Sequence, residues 1–414
     1  MSRAPAPSRV ILTLGVAWLA LICWITLRPM EVEAGALLRT CLVCGEQGVP
    51  NTVLNVLLYA PLGFALRYLT GSGPSSVLYL SVLSLSVEIG QLWIPGRHVG
   101  AVDLVANVLG AVLGSVLAAH RHHWLHPTRA VSSGLAGSWA LLVGLWAGLF
   151  LAAMSPSVPE GQLFAQWTPV LGAREAYSGR ILQASIGSSD LPHGLLPATD
   201  RVREELLTGG PLRVTFRAAH GTASLAPILR IVDAAGNEAF QLGVDGTDLV
   251  VRLRYRADDL RLARPSVRIA GALEDAAASD TLRVTVERLP GRGYWMTLDE
   301  RPPVALSIGV GRSWSLLRYP GVLGDGARRL VDAAWTAALF LPIGYWAVTW
   351  TSLLWIGAFP LGLTLVGAGL SEGVALELEY VAAVLTALVL GRCFVSFSRR
   401  SEVRLPRGSG RDHS

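Results

Sequence analysis

The sequence predicts an α-helical polytopic membrane protein of about eight transmembrane helices, with an all-β sandwich domain inserted between two helix groups. Three observations lead there. The 414 residues are 51% apolar, and their mean hydropathy of +0.45 is better explained by long apolar runs than by a soluble core. Those runs have the length needed to cross a bilayer. Between the fifth and the sixth lies a stretch, about 156–330, in which Arg and Asp are frequent and alternation replaces continuous apolarity.

A hydrocarbon core about 30 Å thick needs roughly 20 residues per helix. Val10–Leu27 is the first run, ended abruptly by Arg28-Pro29; no small-x-small cleavage site follows it, so it reads as an uncleaved helix. Thr52–Leu69, Ser75–Ile94, Ala101–Ala119 and Leu135–Met154 come next. After the polar stretch come Leu330–Trp350, Leu353–Leu370 and Val374–Val395. The chain divides accordingly into 1–50 (first helix and loop), 51–120 (a polar-bearing membrane core), 121–155 (a loop and the fifth helix), 156–329 (the sandwich), 330–396 (three helices) and 397–414 (a basic tail).

Basic residues set the expected orientation. All 35 cationic side chains are Arg, and the net charge is +5. Arg3, Arg9, Arg67, Arg121, Arg129 and the run Arg399 to Arg411 fall on one side if the N-terminus is cytoplasmic. Both termini are then inside the inner (plasma) membrane of a bacterial-type cell, and 156–329 is periplasmic or extracellular. The Arg residues form no recognition patch, which speaks against nucleic acid as a partner.

Within 156–329, Leu212–Ala218, Pro227–Asp233, Glu238–Val244, Leu249–Arg256, Leu282–Leu289 and Tyr294–Asp299 alternate or run apolar. Ala-Ala-Gly-Asn at 234–237, Asp-Gly-Thr-Asp at 245–248 and Pro-Gly-Arg-Gly at 290–293 supply hairpin chemistry between them. The succession, clearest in Asp280–Asp299, resembles a laminin-G or concanavalin A-like jelly roll. The resemblance implies a binding domain for a glycan or an envelope protein and carries no catalytic motif.

The chemistry concentrates between Asn55 and Gly114. Glu88 and Gln91 share a helix face, as do Asp103, Asn107, Gly110 and Gly114. With Asn55 and Arg97 they place six polar side chains at one depth, near the outer ends of three helices. A charge at the bilayer centre costs about 2.5–3.5 kcal/mol, so such groups are paired or functional. Two readings follow. In one, Arg97 neutralises Glu88 or Asp103 and the amides bridge helices. In the other, the six form a pocket for a lipid headgroup or a lipid-linked glycan. A further alternative makes Glu88 or Asp103 the general base of a membrane enzyme acting on a lipid-linked envelope precursor, without a nucleophile or metal-ligand spacing in the sequence; no catalytic residue is singled out, and no cofactor or metal is expected.

The order Asn55, Pro61-Leu62-Gly63, Glu88-x-x-Gln91, Arg97, Asp103, Asn107, Gly110 and Gly114 resembles the VanZ-like membrane proteins over about 51–120. The resemblance implies a cell-envelope role of the kind for which that family is named, an accessory determinant of glycopeptide (teicoplanin) resistance. A membrane lipid, a lipid-linked glycan or envelope polysaccharide, and an envelope protein docking the sandwich are the expected partners. "LFLPIGYW" at 339–346 echoes "LYAPLGFA" at 58–65, with Glu372 standing where Glu88 would and Glu377 and Glu379 where Asp103 would, while the Asn, Gln and Arg positions have no counterparts; the last three helices read either as a degenerate second unit or as a chance likeness of apolar stretches.

Four cysteines remain. Cys41 and Cys44, in Cys-Leu-Val-Cys, are a candidate disulfide rather than a zinc site, which would need further ligands nearby. His120, His122, His123 and His126 read as a basic anchor at lipid headgroups rather than a metal site.

Overall fold

The computed structural model describes residues 6–29, 40–41, 48–95, 97, 99–171, 176–219, 222–263, 266–277, 280–289, 293–317, 325–371, 374 and 377–403. Among these, eight helices have nineteen residues or more: α1 (Ala6–Leu27), α2 (Gly48–Thr70), α3 (Gly73–Gln91), α4 (Ala101–Ala119), α6 (Arg129–Ala153), α9 (Asp325–Trp346), α10 (Trp350–Leu370) and α11 (Leu378–Val403). A short α5 (Arg121–Leu125) joins the first four to α6.

Six of these helices, not eight, are long and apolar enough by themselves to cross a membrane: α1, α2, α4, α6, α10 and α11. The other two carry too much polarity. α3 holds Ser75, Ser76, Ser81, Ser84, Ser86, Glu88 and Gln91, and α9 opens on Asp325, Arg328, Arg329 and Asp332. Exposed Leu, Val and Trp side chains such as Leu14, Trp24, Leu109, Leu145, Trp355 and Val366 cover the helix surfaces, as contact with lipid requires.

α2 and α4 make the closest helix pair. Gly110 lies on Val56 and Gly114 on Ala60, so four residues forward on one helix are four forward on the other, and the two run parallel. α3 carries the chain back between them. It starts where the Ser72 hydroxyl accepts the Ser75 N–H, an N-cap that replaces a missing ladder bond. Glycine is obligatory at the α2–α4 contact: a Cβ on Gly114 would lie 1.9 Å from the Ala60 carbonyl oxygen, and one on Gly63 2.3 Å from that of Ala111. Ile22, Tyr59, Leu62, Leu80 and Ala111 form the small core of this group.

Between α6 and α9 stand two six-stranded antiparallel sheets. In chain order, after the two-residue β1 (Thr40–Cys41) and β2 (Val99–Gly100), the strands are β3 (Leu163–Trp167), β4 (Arg180–Ile186), β5 (Ser189–Asp190), β6 (Gly194–Leu195) and β7 (Leu212–Arg217). They continue with β8 (Thr222–Asp233), β9 (Glu238–Gly246), β10 (Asp248–Leu253), β11 (Val267–Ile269), β12 (Thr281–Leu289), β13 (Gly293–Leu298) and β14 (Val304–Ala305). One sheet runs β11-β10-β9-β8-β3-β6 and the other β14-β13-β12-β7-β4-β5.

The alternation read from the sequence decides which face is inside: Leu282, Val284 and Val286 of β12 and Leu212, Val214 and Phe216 of β7 enter one core with Ile228, Phe240 and Leu242. Two of the three expected turns are present, with Gly236 and Gly246 at φ +84° and +65° between β8, β9 and β10, while 290–292 of the third lie outside the described residues. All six expected strands are present. The sequence reading had no helix here, yet α7 (Thr199–Thr208) stands in the domain and ends on Gly209 at φ +77°. A one-turn α8 (Arg256–Asp259) follows β10, and a 3-10 helix, Val310–Leu316, closes the domain ahead of α9.

The domain and the second helix group share a single buried cluster. Tyr255, Ala257, Ile308, Val310 and Leu316 pack with Ala147, Phe150, Met154, Phe340 and Tyr380.

Candidate functional site

The ends of α2, α3 and α4 and the loop from α3 to β2 carry all six of the polar side chains singled out in the sequence, beside the end of α1. The structure divides them into two sets with different work.

Gln91 and Arg97 belong to α1. A helix C-terminus leaves its last carbonyls without ladder partners. Gln91 Nε2 donates to the Thr26 carbonyl at 3.0 Å, Arg97 Nε to that of Arg28 at 3.0 Å, and Arg97 Nη2 to that of Ile25. Arg97 is thus committed to capping α1. It does not neutralise Glu88 or Asp103: among the described residues neither carboxylate makes an ion pair.

Asn55, Glu88, Asp103 and Asn107 form the second set, contributed by α2, α3 and α4. Asn55 Nδ2 donates to Asp103 Oδ1 at 2.8 Å. The Gly100 N–H, at the start of α4, donates to Glu88 Oε2 at 3.3 Å. Glu88 is only 6% exposed, and Asp103 lies within electrostatic reach of it. Deeper along α4, Asn107 Nδ2 donates to Ser84 Oγ at 2.9 Å while Asn107 Oδ1, also buried, has no hydrogen-bond partner. The two carboxylates together receive one amide and one backbone donor, fewer than their oxygens can accept.

Ser84 and Tyr59 were missed in the sequence. Ser84 lies four residues before Glu88, on its face, so helical periodicity alone would have included it; Tyr59 lies four after Asn55 and is 1% exposed. Trp18 was also missed. Its indole N–H donates to the Leu58 carbonyl at 2.8 Å, in the turn that Pro61 crowds from within α2.

Other candidates carry less. Cys41 falls in β1, but Cys44 lies outside the described residues, and with it the candidate disulfide. His120 stacks near His123 and His122 near His126, ring centroids 5.9 and 6.5 Å apart. Among the described residues no three His, Cys, Asp or Glu come close enough to hold a metal. In the sandwich, the acidic pair Asp245 and Asp248 is bridged by the Arg268 guanidinium, at 3.0 Å to Asp248. An open polar cleft of about 350 Å³ lies at the start of α7, lined by Gln162, Thr199, Asp200, Arg201 and Arg203.

No curated protein and no solved structure matches the chain. A family model does match at the N-terminal end. It covers residues 15–122, which run from the third turn of α1 to the start of α5 and hold every member of the cluster, and it is described as VanZ/LLP1. The first four-helix group of this multi-pass membrane protein is therefore a VanZ/LLP1 family domain.

Proposed function

We propose that the VanZ-like unit is a receptor for the polar headgroup of a lipid-linked envelope ligand, and that it binds rather than transforms it. One observation carries the reading. Glu88 and Asp103 lie within electrostatic reach of each other inside an apolar four-helix unit, with no cation paired to either among the described residues, above a buried amide oxygen that accepts nothing. Polar groups in such a setting are costly unless something satisfies them. The carboxylate oxygens and Asn107 Oδ1 are acceptors, and the Tyr59 hydroxyl, also buried without a partner, can donate or accept; the complementary ligand is mainly rich in donors: a sugar or an amino-bearing headgroup.

The cluster opens at the helix ends that face the same way as the β domain, since α1 and α6 both finish there and α2 and α9 both begin there. With a cytoplasmic N-terminus this is the periplasmic or extracellular face, where lipid-linked envelope precursors are displayed. The two-sheet domain, read as concanavalin A-like, stands beside the site to engage glycan or an envelope protein. A role in envelope biogenesis, or in resistance to agents that attack it, follows from that pairing.

The test is binding of a polyprenyl-linked disaccharide to the full chain in nanodiscs, compared with a diacyl lipid of the same charge. Glu88→Gln and Asp103→Asn should each weaken saccharide binding at least tenfold and leave the diacyl lipid unaffected. Conversion of the saccharide by the wild-type protein, lost in either variant, would show an enzyme instead. Equal binding by all three proteins would refute the site.

A further inference from the structure

The C-terminal helices repeat a series of contacts of the first unit between matching residues. Trp139 of α6 donates its indole N–H to the Leu339 carbonyl at 2.8 Å, as Trp18 of α1 does to Leu58 at 2.8 Å. Leu58 and Leu339 each stand three residues before a proline inside their helix, Pro61 and Pro342. Gly63 packs on the Ala111 carbonyl oxygen and Gly344 on that of Leu388, while Gly114 seats between Ala60 O and Phe64 N and Gly391 between Leu341 O and Tyr345 N. The N-cap of α3, Ser72 bonded to Ser75, is matched by that of α10, Thr349 bonded to Ser352. Even the packing sizes compensate: Leu80 and Ala111 share the first core, and at the matching places Gly357 meets Leu388.

These contacts fix the correspondence by residue. α9 follows α2 by 281 positions, and the stretch from Thr349 to Gly391 follows that from Ser72 to Gly114 by 277. Asn55 is then matched by Thr336, Glu88 by Leu365, Arg97 by Val374, Asp103 by Tyr380 and Asn107 by Val384. Glu377 takes the place of Gly100 and Glu379 that of Val102, so neither stands for Asp103. Glu372 lies outside the described residues.

A segment of the β domain sits against the same position. A Cβ built on Gly311 would lie 3.0 Å from Tyr380 Cδ2, and one on Gly309 2.6 Å from the Glu377 carboxyl carbon. Ser313 Oγ accepts two indole N–H groups, from Trp146 of α6 at 2.8 Å and Trp335 of α9 at 2.9 Å. Trp314 donates to Asp332 Oδ1 at 2.7 Å, and Arg312 lies 3.6 Å from its other oxygen.

We infer that α6, α9, α10 and α11 are a second copy of the four-helix unit, that the β domain is inserted in its first loop, and that Gly309–Trp314 of this domain fills the position which in the first copy is open to ligand. Each chain then has one receptor site and one self-occupied anchor. Only the naming of the position rests on the receptor reading; the anchor is a matter of contact.

The experiment uses the full chain with its four cysteines replaced by serine. Gly311→Cys paired with Tyr380→Cys places Cβ atoms about 3.6 Å apart, within disulfide range. Mild oxidation of the native protein in micelles should close this bond and consume both thiols. Thiols that stay free, although the unfolded variant oxidises, would overturn the anchor. A second measurement avoids new cysteines: Ser313→Ala with Asp332→Ala should speed hydrogen exchange across 309–316 at least tenfold, and unchanged exchange would again overturn it. Saccharide stoichiometry should be one per chain and indifferent to Tyr380→Phe; two per chain would mean that the second position is open. Failure of the saccharide to bind at all, with the crosslink formed, would strike the receptor reading and leave the anchor in place.

Discussion

Gly114→Ala should break the VanZ-like unit, and its size can be worked from the contact it disturbs. The added Cβ would lie 1.9 Å from Ala60 O, 2.7 Å from Phe64 N and 2.8 Å from Ala60 C. All three are backbone atoms of α2, so no rotamer change can relieve them. To go from 1.9 Å to at least 3.0 Å the helices must part by about 1.1 Å, and that also loosens Gly63 on Ala111 and Gly110 on Val56. Overpacking of this kind costs about 1–3 kcal/mol, and the backbone setting puts this case at the upper end. The assay is unfolding of the purified chain in mixed micelles by increasing detergent denaturant, read by tryptophan fluorescence. Gly134→Ala on α6 is the control. A Cβ there meets nothing within 4 Å, so the substitution should be neutral or gain up to about 1 kcal/mol of helix propensity. Equal stability of the two variants would refute the parallel α2–α4 contact, and with it the geometry that brings Asn55 to Asp103.

Further outcomes follow from single contacts. A double-mutant cycle on Asn55→Ala and Asp103→Ala should return a coupling of about 0.6 kcal/mol and no more than about 1.7, the range for side-chain hydrogen bonds between membrane helices; zero coupling would separate the pair. Trp18→Phe and Trp139→Phe should each cost about 0.5–1.5 kcal/mol in the same unfolding assay, and by similar amounts, because each removes one indole donor from the same place in its unit. Arg97→Ala should fray the end of α1, seen as faster amide exchange at 25–28, without changing saccharide affinity as Glu88→Gln does; equal effects on binding would return Arg97 to the ligand site. Arg268→Ala should lower the melting temperature of the sandwich by exposing Asp245 and Asp248 to each other, and salt should partly restore it.

The sequence showed what periodicity can show. Continuous apolar runs located the membrane helices, and alternation located six strands with the correct face inward, because burial on one side leaves a period of two. It overcounted the spans where polarity is functional or structural: the serines of α3 and the charged first turns of α9 look like ordinary helix surface until their partners are known. It also grouped six polar residues that the fold divides. Spacing along a helix places Arg97 beside Glu88 and Asp103, but the carbonyls that claim its guanidinium belong to α1, more than sixty residues away, and no local pattern announces a helix end in need of donors. β3, β4, β5, β6, β11 and β14 were invisible: β5, β6, β11 and β14 are two or three residues long, β3 has five, and β4 is broken by a register shift between Ile181 and Gln183, so none carries enough alternations to stand out. The repeat was half visible: the Pro-x-Gly echo marked α9, whereas α6 matches α1 through one indole hydrogen bond and little else that a sequence displays.

The second unit gives the strongest reason to treat the first as a site. It keeps Gly63 and Gly114 as Gly344 and Gly391 (Ala387 stands for Gly110), the helix-internal proline, the N-cap of the return helix and the indole bond, so these are what the four-helix fold needs. It replaces Glu88, Asp103 and Asn107 by Leu365, Tyr380 and Val384, and the helices still close over them, with Tyr380 and Val384 buried. An ionised or unsatisfied group in this setting costs energy that apolar side chains at the same positions do not. The polar residues of the first unit are therefore not required to fold it. A copy that carries them against that cost, beside one that has shed them and taken up a piece of its own chain, is what selection for an external ligand would leave.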